Sequence, residues 1–160
     1  MGMLHQQFER LAVASCEAAR ETFGDNLVAL AVFGSVGRGT PRFDSDLDLL
    51  GVLETAPRHR RDRWLLAEGM GEHVRPLQVE LAGQGVHAEL SLILKSRTEL
   101  AAGFPLLLDM VDDAVILTDP TGVLTARLGL LRQRLSAAGA RRIWVGNAWH
   151  WDLGSGAFEI

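Results

Sequence analysis

The chain has no tyrosine, one cysteine and one lysine in 160 residues. With Cys16 alone, no intrachain disulfide and no cysteine-based zinc site can form. Its place on an amphipathic run makes it a small buried residue. Lys95 stands beside fifteen arginines, a bias assigned here to genomic composition rather than chemistry. Excess positive charge is also missing: the formal net charge of −4 argues against extended nucleic-acid binding. Nor is there a long hydrophobic run. The opening stretch MGMLHQQFERLAVASCEAARETFG carries acids and arginines throughout, so neither a signal peptide nor a membrane span is expected. The expected location is cytoplasmic. Against these absences, hydrophobic residues make up 48% and charged residues 22%, enough for the core of a single domain.

Periodicity divides that material. Leu4 to Phe23 places Leu4, Phe8, Leu11 and Ala18 at helical spacing, stopped by Gly24-Asp25. NLVALAVF, from Asn26 to Phe33, reads as a strand buried on both faces. After the turn-rich GSVGRGTPRFDS, LDLLGVL reads as a second strand. Arg58 to Leu81 predicts a helix, and its Arg58, His59, Arg60, Arg61 and Arg63 form a solvated first turn. Val86 to Lys95 alternates: Val86, Ala88, Leu90, Leu92 and Leu94 face one way, His87, Glu89, Ser91 and Ile93 the other. A short helix is expected over Phe104–Val111, a strand over Ala114–Thr118, and a last helix capped by Thr121. The expected fold is α/β (α+β): a short mixed sheet of about four strands with helices mainly on one face. Residues 1–138 form that domain, and a Trp-rich tail, 139–160, packs on it or at an interface.

The chemistry concentrates in GSVGRGTPRFDSDLDLL. Glycines following a strand let backbone approach a ligand closely. N–H groups at the start of a helix after Gly34-Ser35 make an anion site suited to phosphate, with the Ser35 hydroxyl as a further donor and Arg38 or Arg42 in reach. Asp46 and Asp48, two residues apart on a strand, present both carboxylates on one face. Such a pair repels itself unless a cation lies between, and Mg²⁺ takes carboxylates together with substrate phosphates. Glu89, on the polar face of the alternating strand, supplies a third acid if the two strands are neighbours. Asp44 precedes the strand and is expected to be solvated.

Gly34-Ser35 followed after about ten residues by Ser45-Asp46-Leu47-Asp48 resembles the signature of the DNA polymerase β-like nucleotidyltransferase superfamily. Arg38-Gly39 and Ser45 resemble its compact members, the minimal nucleotidyltransferases. The signature spans residues 33–50, and the order of elements fits that fold to about residue 138. The resemblance implies that Gly34, Ser35, Arg38 and Ser45 bind the nucleotide. It implies that Asp46, Asp48 and Glu89 are the catalytic carboxylates holding one or two Mg²⁺ ions. The implied reaction is transfer of a nucleoside monophosphate, AMP from ATP by resemblance, to an acceptor hydroxyl. Larger members add a substrate-binding helical domain for which this chain has almost no room, so acceptor recognition falls to a partner, a homodimer or the tail, or is absent. A rival reading follows from the same resemblance: an antitoxin-like protein that binds a small helical HEPN-type toxin. A third keeps the fold as a non-catalytic nucleotide-binding module.

Overall fold

The computed structural model describes residues 2–146, 148–153 and 160. Chain order runs α1 (Met3–Phe23), β1 (Leu27–Phe33), α2 (Gly34–Gly37), β2 (Leu47–Leu53), α3 (Arg60–Ala82), β3 (Leu90–Ser96), α4 (Arg97–Ala102), α5 (Leu106–Met110), β4 (Val115–Thr118), α6 (Val123–Ala137), β5 (Arg141–Val145) and β6 (Ala148–Asp152). Four strands make one mixed sheet in the order β3-β2-β1-β4. The central pair, β1 and β2, is antiparallel, as are β1 and β4, whereas β2 and β3 are parallel. A parallel pair cannot be closed by a tight turn, and α3 is the crossover that joins it. The mixed α/β fold expected from the sequence is the one observed.

The placement of the helices needs a correction. They cover both faces of the sheet rather than mainly one. Alternate strand residues point to opposite faces, so the apolar runs in β1 and β2 supply two cores. Leu30, Val32, Leu47, Leu49 and Leu53 pack with residues of α1 and α3. Ala29, Ala31, Phe33, Leu50 and Val52 pack with residues of α4, α5 and α6. The expectation underestimated the second face because α4 passed unnoticed. Its start is nevertheless written in the sequence as Ser96-Arg97-Thr98-Glu99. The Ser96 hydroxyl accepts from Glu99 N–H at 3.1 Å, and a Glu99 carboxylate oxygen accepts from Ser96 N–H at 2.7 Å.

Other differences have local causes. β3 begins at Leu90, not Val86, because His87 N–H donates to Phe43 C=O at 2.8 Å and so ties this stretch to the loop before β2. Thr121 does not cap α6. Gly122 occupies that position at φ +69°, and an Asp119 carboxylate oxygen takes both the N–H and the hydroxyl of Thr125 at 2.8 Å. Arg63 is not part of a solvated turn. It is half-buried, donates to Leu94 C=O at 3.0 Å and pairs with Glu99 at 2.9 Å. Desolvation alone would raise the Glu99 carboxyl. The hydrogen bonds from Arg63 and Ser96, with the charges of Arg63 and Lys95, instead hold it down to about 2. Cys16 is buried, as its helical position implies.

The tail, for which the sequence suggested no element, contains the β5–β6 hairpin. Trp151 donates its indole N–H to Leu108 C=O at 3.0 Å, and Trp151 and Leu153 pack on the α4–α6 side of the sheet. No helix among the described residues is long and apolar enough to cross a membrane.

The two cores predict a contrast. Leu49 is fully buried between β2 and the α1–α3 layer, whereas Leu130 is 41% exposed on α6. Leu49→Ala is expected to lower unfolding free energy by about 2–5 kcal/mol, and Leu130→Ala by less than about 0.5 kcal/mol. Urea denaturation of the two variants reads the difference directly.

Candidate active site

Phe33, the last residue of β1, pairs with Asp48 of β2. The chain then turns on Gly34 at φ +69°, so close to the neighbouring strand that a Cβ built there would lie 2.4 Å from an Asp48 carboxylate oxygen. Only glycine combines that conformation with that approach. Residues Gly34–Gly37 make one helical turn, closed by Arg38 N–H to Gly34 C=O at 3.1 Å and Thr40 N–H to Ser35 C=O at 2.9 Å. The first N–H groups of such a turn have no intrahelical acceptor. Four residues are too few for a macrodipole of consequence, so any pull on an anion comes from these N–H groups themselves. Gly37 is pressed equally hard: a Cβ there would meet Asp113 C=O oxygen at 2.6 Å and that of Val32 at 3.2 Å.

β2 is buried at every position except Asp48, which is half-buried. Burial pushes the Asp48 carboxyl above its ordinary range, and the charge of Asp46 pushes it further. Ser91, opposite in register, and Arg38 oppose the shift. Asp46 lies one residue before the strand and is exposed. The two carboxylates expected to share a face therefore do interact, one anchored in the sheet and one at its rim.

Glu89 immediately precedes β3, and its C=O accepts from Leu47 N–H at 2.8 Å. Extending the Asp48–Ser91 register back by two residues sets Glu89 beside Asp46 at the end of adjacent parallel strands. Its side chain is exposed. The three acids thus occupy one corner of the sheet without closing on a point, and among the described residues no three His, Cys, Asp or Glu side chains form a ready-made metal cage. An uncompensated carboxylate pair next to an open rim suits a hard divalent ion that keeps waters and takes phosphate oxygens as its remaining ligands.

The other expected ligands divide. Ser35 and Arg38 lie on the turn itself, Ser35 partly exposed and Arg38 with its guanidinium 3.8 Å from Asp113. The Ser45 hydroxyl is engaged within the loop, accepting from Arg42 N–H at 2.8 Å. Asp44, exposed, pairs with Arg42 at 3.4 Å. Residues that the sequence did not single out complete the surroundings. Asp113 accepts from Arg142 of β5 at 3.0 Å while lying between that arginine and Arg38. The Arg142 guanidinium lies 3.9 Å from the centre of the Trp149 ring. Neither Asp113 nor Arg142 belongs to a spaced motif. Only the tertiary contact between the hairpin and the Gly34–Gly37 turn reveals them.

Comparison with known proteins shows the family and the fold. The nucleotidyltransferase domain family matches residues 16–98, more than half of the chain, and the chain belongs to that family. A Methanocaldococcus jannaschii protein provisionally named a protein adenylyltransferase is 40% identical over 47 residues, 29% of this chain and 32% of its own. The chain thus aligns with about a third of that relative's length. Two solved structures share the fold. A toxin–antitoxin complex with AMP-PNP has a TM-score of 0.51 at 16% identity, covering 80% of this chain and 92% of that one. A mutant of the toxin–antitoxin complex MntA–HpeT has a TM-score of 0.50 at 14% identity, with the same coverages.

Two predictions follow from the Gly34–Asp48 contact. Gly34→Ala combines a strained φ with a clash at the carboxylate, and is expected to cost about 1–3 kcal/mol of stability. The midpoint of its urea denaturation should fall accordingly. The second concerns pH. A carboxyl raised in the folded chain above its ordinary 3.8 destabilises the fold at any pH above its raised value, and the cost vanishes as pH falls below 3.8. Asp48→Asn should therefore raise Tm of the metal-free protein at pH 7, with the advantage shrinking as pH approaches 3.8. An unchanged Tm at pH 7 would mean that burial and Asp46 impose no net penalty on the Asp48 carboxylate.

Proposed function

We propose that the chain transfers a nucleoside monophosphate, AMP from ATP, to an acceptor hydroxyl. The observation that carries this reading is the Gly34 turn seated on Asp48, with Asp46 adding its charge at the same rim. Phosphate oxygens held at the N–H groups of Gly34–Gly37 would lie next to the carboxylate pair. In this reading Ser35 and Arg38 hold the β- and γ-phosphates, and Ser45 shapes the loop that carries Asp46. Asp46 and Asp48 would hold Mg²⁺, with Glu89 available from the adjacent strand. Mg²⁺, when bound, supplies charge neutralisation of the triphosphate.

The acceptor oxygen forms a bond to the α-phosphorus, the bond from that phosphorus to the α–β bridging oxygen breaks, and pyrophosphate leaves. Glu89 is the group proposed to take the hydroxyl proton. The family assignment and the provisional adenylyltransferase name of the relative support transfer over mere binding. We further propose that residues 1–138 carry this chemistry and that the tail serves as an appended hairpin.

A second reading sets the same site in a complex. Both structural neighbours named above are toxin–antitoxin assemblies, and Trp64 and Trp144 offer exposed aromatic surface for a protein partner. A helical toxin-like partner would then be the acceptor or the regulated protein.

The test uses ATP labelled at the α-phosphate, Mg²⁺ and an extract of the source cells. Label is expected on a macromolecular or small acceptor, reduced at least about a hundredfold in Asp46→Asn and Asp48→Asn. If both variants transfer label as well as the parent, the transfer reading fails. If ATP binds with Mg²⁺ but no label moves, the non-catalytic module is the better description.

A further inference from the structure

β3 is an edge strand, and among the described residues its outer side is blocked at two points. In a parallel pair, alternate residues turn both backbone groups toward the partner. Leu47 N–H bonds to Glu89 C=O, so Glu89, Ser91, Ile93 and Lys95 face β2, and Leu90, Leu92 and Leu94 turn their backbone outward. At one end, Gln78 of α3 donates to Ala88 C=O at 2.9 Å. At the other, Arg63 donates to Leu94 C=O at 3.0 Å. Between these two side chains the edge is open at Leu90 and Leu92.

A groove of about 680 Å³ lies along this stretch, between α3 and β3, with Trp64, Glu68, Val79, His87 and Glu89 in its walls. Trp64 is 58% exposed, and it also borders a second depression lined by Arg58, Arg60 and Lys95. Arg58 and Arg60 pair with no acid among the described residues. The outer edge of β3 thus runs from an acid of the candidate active site to two uncompensated arginines. Six residues of strand separate Glu89 from Lys95, about 20 Å.

We infer that this edge docks an extended, acidic peptide segment of a protein acceptor, its hydroxyl-bearing residue at Glu89 and its acidic residues at Arg58 and Arg60. Main-chain groups of Leu90 and Leu92 supply backbone pairing, Trp64 supplies an apolar anchor, and the arginines fix the direction of the chain. An RNA end fits less well, because Glu68, Glu89, Asp46 and Asp48 would repel its phosphates along the catalytic half of the path. The inference rests on the transfer reading for the role of Glu89, but the docking itself needs no nucleotide.

Binding is therefore measured without ATP, by fluorescence polarisation of labelled twelve-residue probes. Each has an alternating Val-Thr core with three glutamates at one end, and both chain orders are made. Companion probes carry lysines for glutamates, N-methyl groups along the core, or a twelve-nucleotide oligoadenylate in place of peptide. One chain order of the glutamate peptide should bind at least tenfold tighter than the lysine and N-methylated forms. Affinity should fall about tenfold in Arg58→Glu/Arg60→Glu and in Trp64→Ala, and stay unchanged in Leu130→Ala on α6.

Equal binding of glutamate and lysine probes, indifference to N-methylation, no binding of either chain order, or tighter binding of the oligoadenylate would each overturn the proposal. Circular dichroism of each variant excludes unfolding as the cause of a loss, and Arg58→Gln/Arg60→Gln, with an intermediate loss, is the milder control. Peptide binding that persists with no label transferred from ATP would sink the transfer reading alone.

Discussion

A carboxylate in the most buried strand of the sheet is the constraint around which this chain is organised. Every other residue of β2 is out of water, and Asp48 is held partly in that environment with a second negative charge, Asp46, pushing on it. Left alone, the arrangement costs stability. The fold does not relieve it by pairing. Arg38, the nearest cation, divides its charge with Asp113, and Ser91 offers a hydroxyl rather than a charge. What the fold does instead is bring the start of a helical turn to the same spot, by ending β1 opposite Asp48 and turning at once on a glycine. The N–H groups of the turn and the carboxylates lie side by side, and no hydrogen bond joins them among the described residues. On the proposed reading, a ligand carrying both cation and phosphate would engage both.

The rest of the architecture serves to hold that corner. Because β1 and β2 are covered on both faces, neither can shift to relax the Gly34–Asp48 contact without opening one of two cores. Gly37, wedged between the Val32 and Asp113 carbonyl oxygens, fixes the far side of the turn. Asp113 in turn is gripped by Arg142, whose guanidinium is sandwiched against Trp149. The C-terminal hairpin therefore reaches the Gly34–Gly37 turn through Asp113, which pairs with both Arg142 and Arg38, although it lies far from it in sequence.

Much of this was legible beforehand, and the reasons are physical. β1 and β2 are runs of apolar residues bounded by turn chemistry, a pattern that few structures other than buried strands produce. Asp46, Asp48 and the glycines could be found because their relation is local: a period of two and a turn. Glu89 required the additional guess that β3 neighbours β2, which the parallel register supports. The failures share the opposite property. Arg63 looked like one of a solvated series, and its burial depends on Leu94 and Glu99, more than thirty residues away. The hairpin was hard to read because its first strand, Arg141–Val145, shows no alternation, although Trp149-His150-Trp151-Asp152 in the second does. The α4 start was readable and overlooked, since Ser96 and Glu99 stand at the spacing a capping box needs.

The same contrast explains why the donor side of the reaction is better defined than the acceptor side. In the proposed reaction, holding a triphosphate and a cation would take groups that one turn and one strand can provide, so the requirement could be met from Gly34 to Asp48 and would leave a spaced motif. Recognising an acceptor takes a surface, and the surface next to Glu89 is assembled from α3 and the outer edge of β3, elements joined only by the crossover. Edge strands are ordinarily blunted against pairing by charge, proline or a covering segment. Here Gln78 and Arg63 block the ends of β3 and leave its middle open beside an exposed tryptophan. Protecting an edge against aggregation alone would favour covering the middle first, since that is where an adventitious strand gains most hydrogen bonds. Leaving it open while stopping both ends sets the length and register of whatever pairs there, and the end nearest the carboxylates is the one that would present its hydroxyl to them.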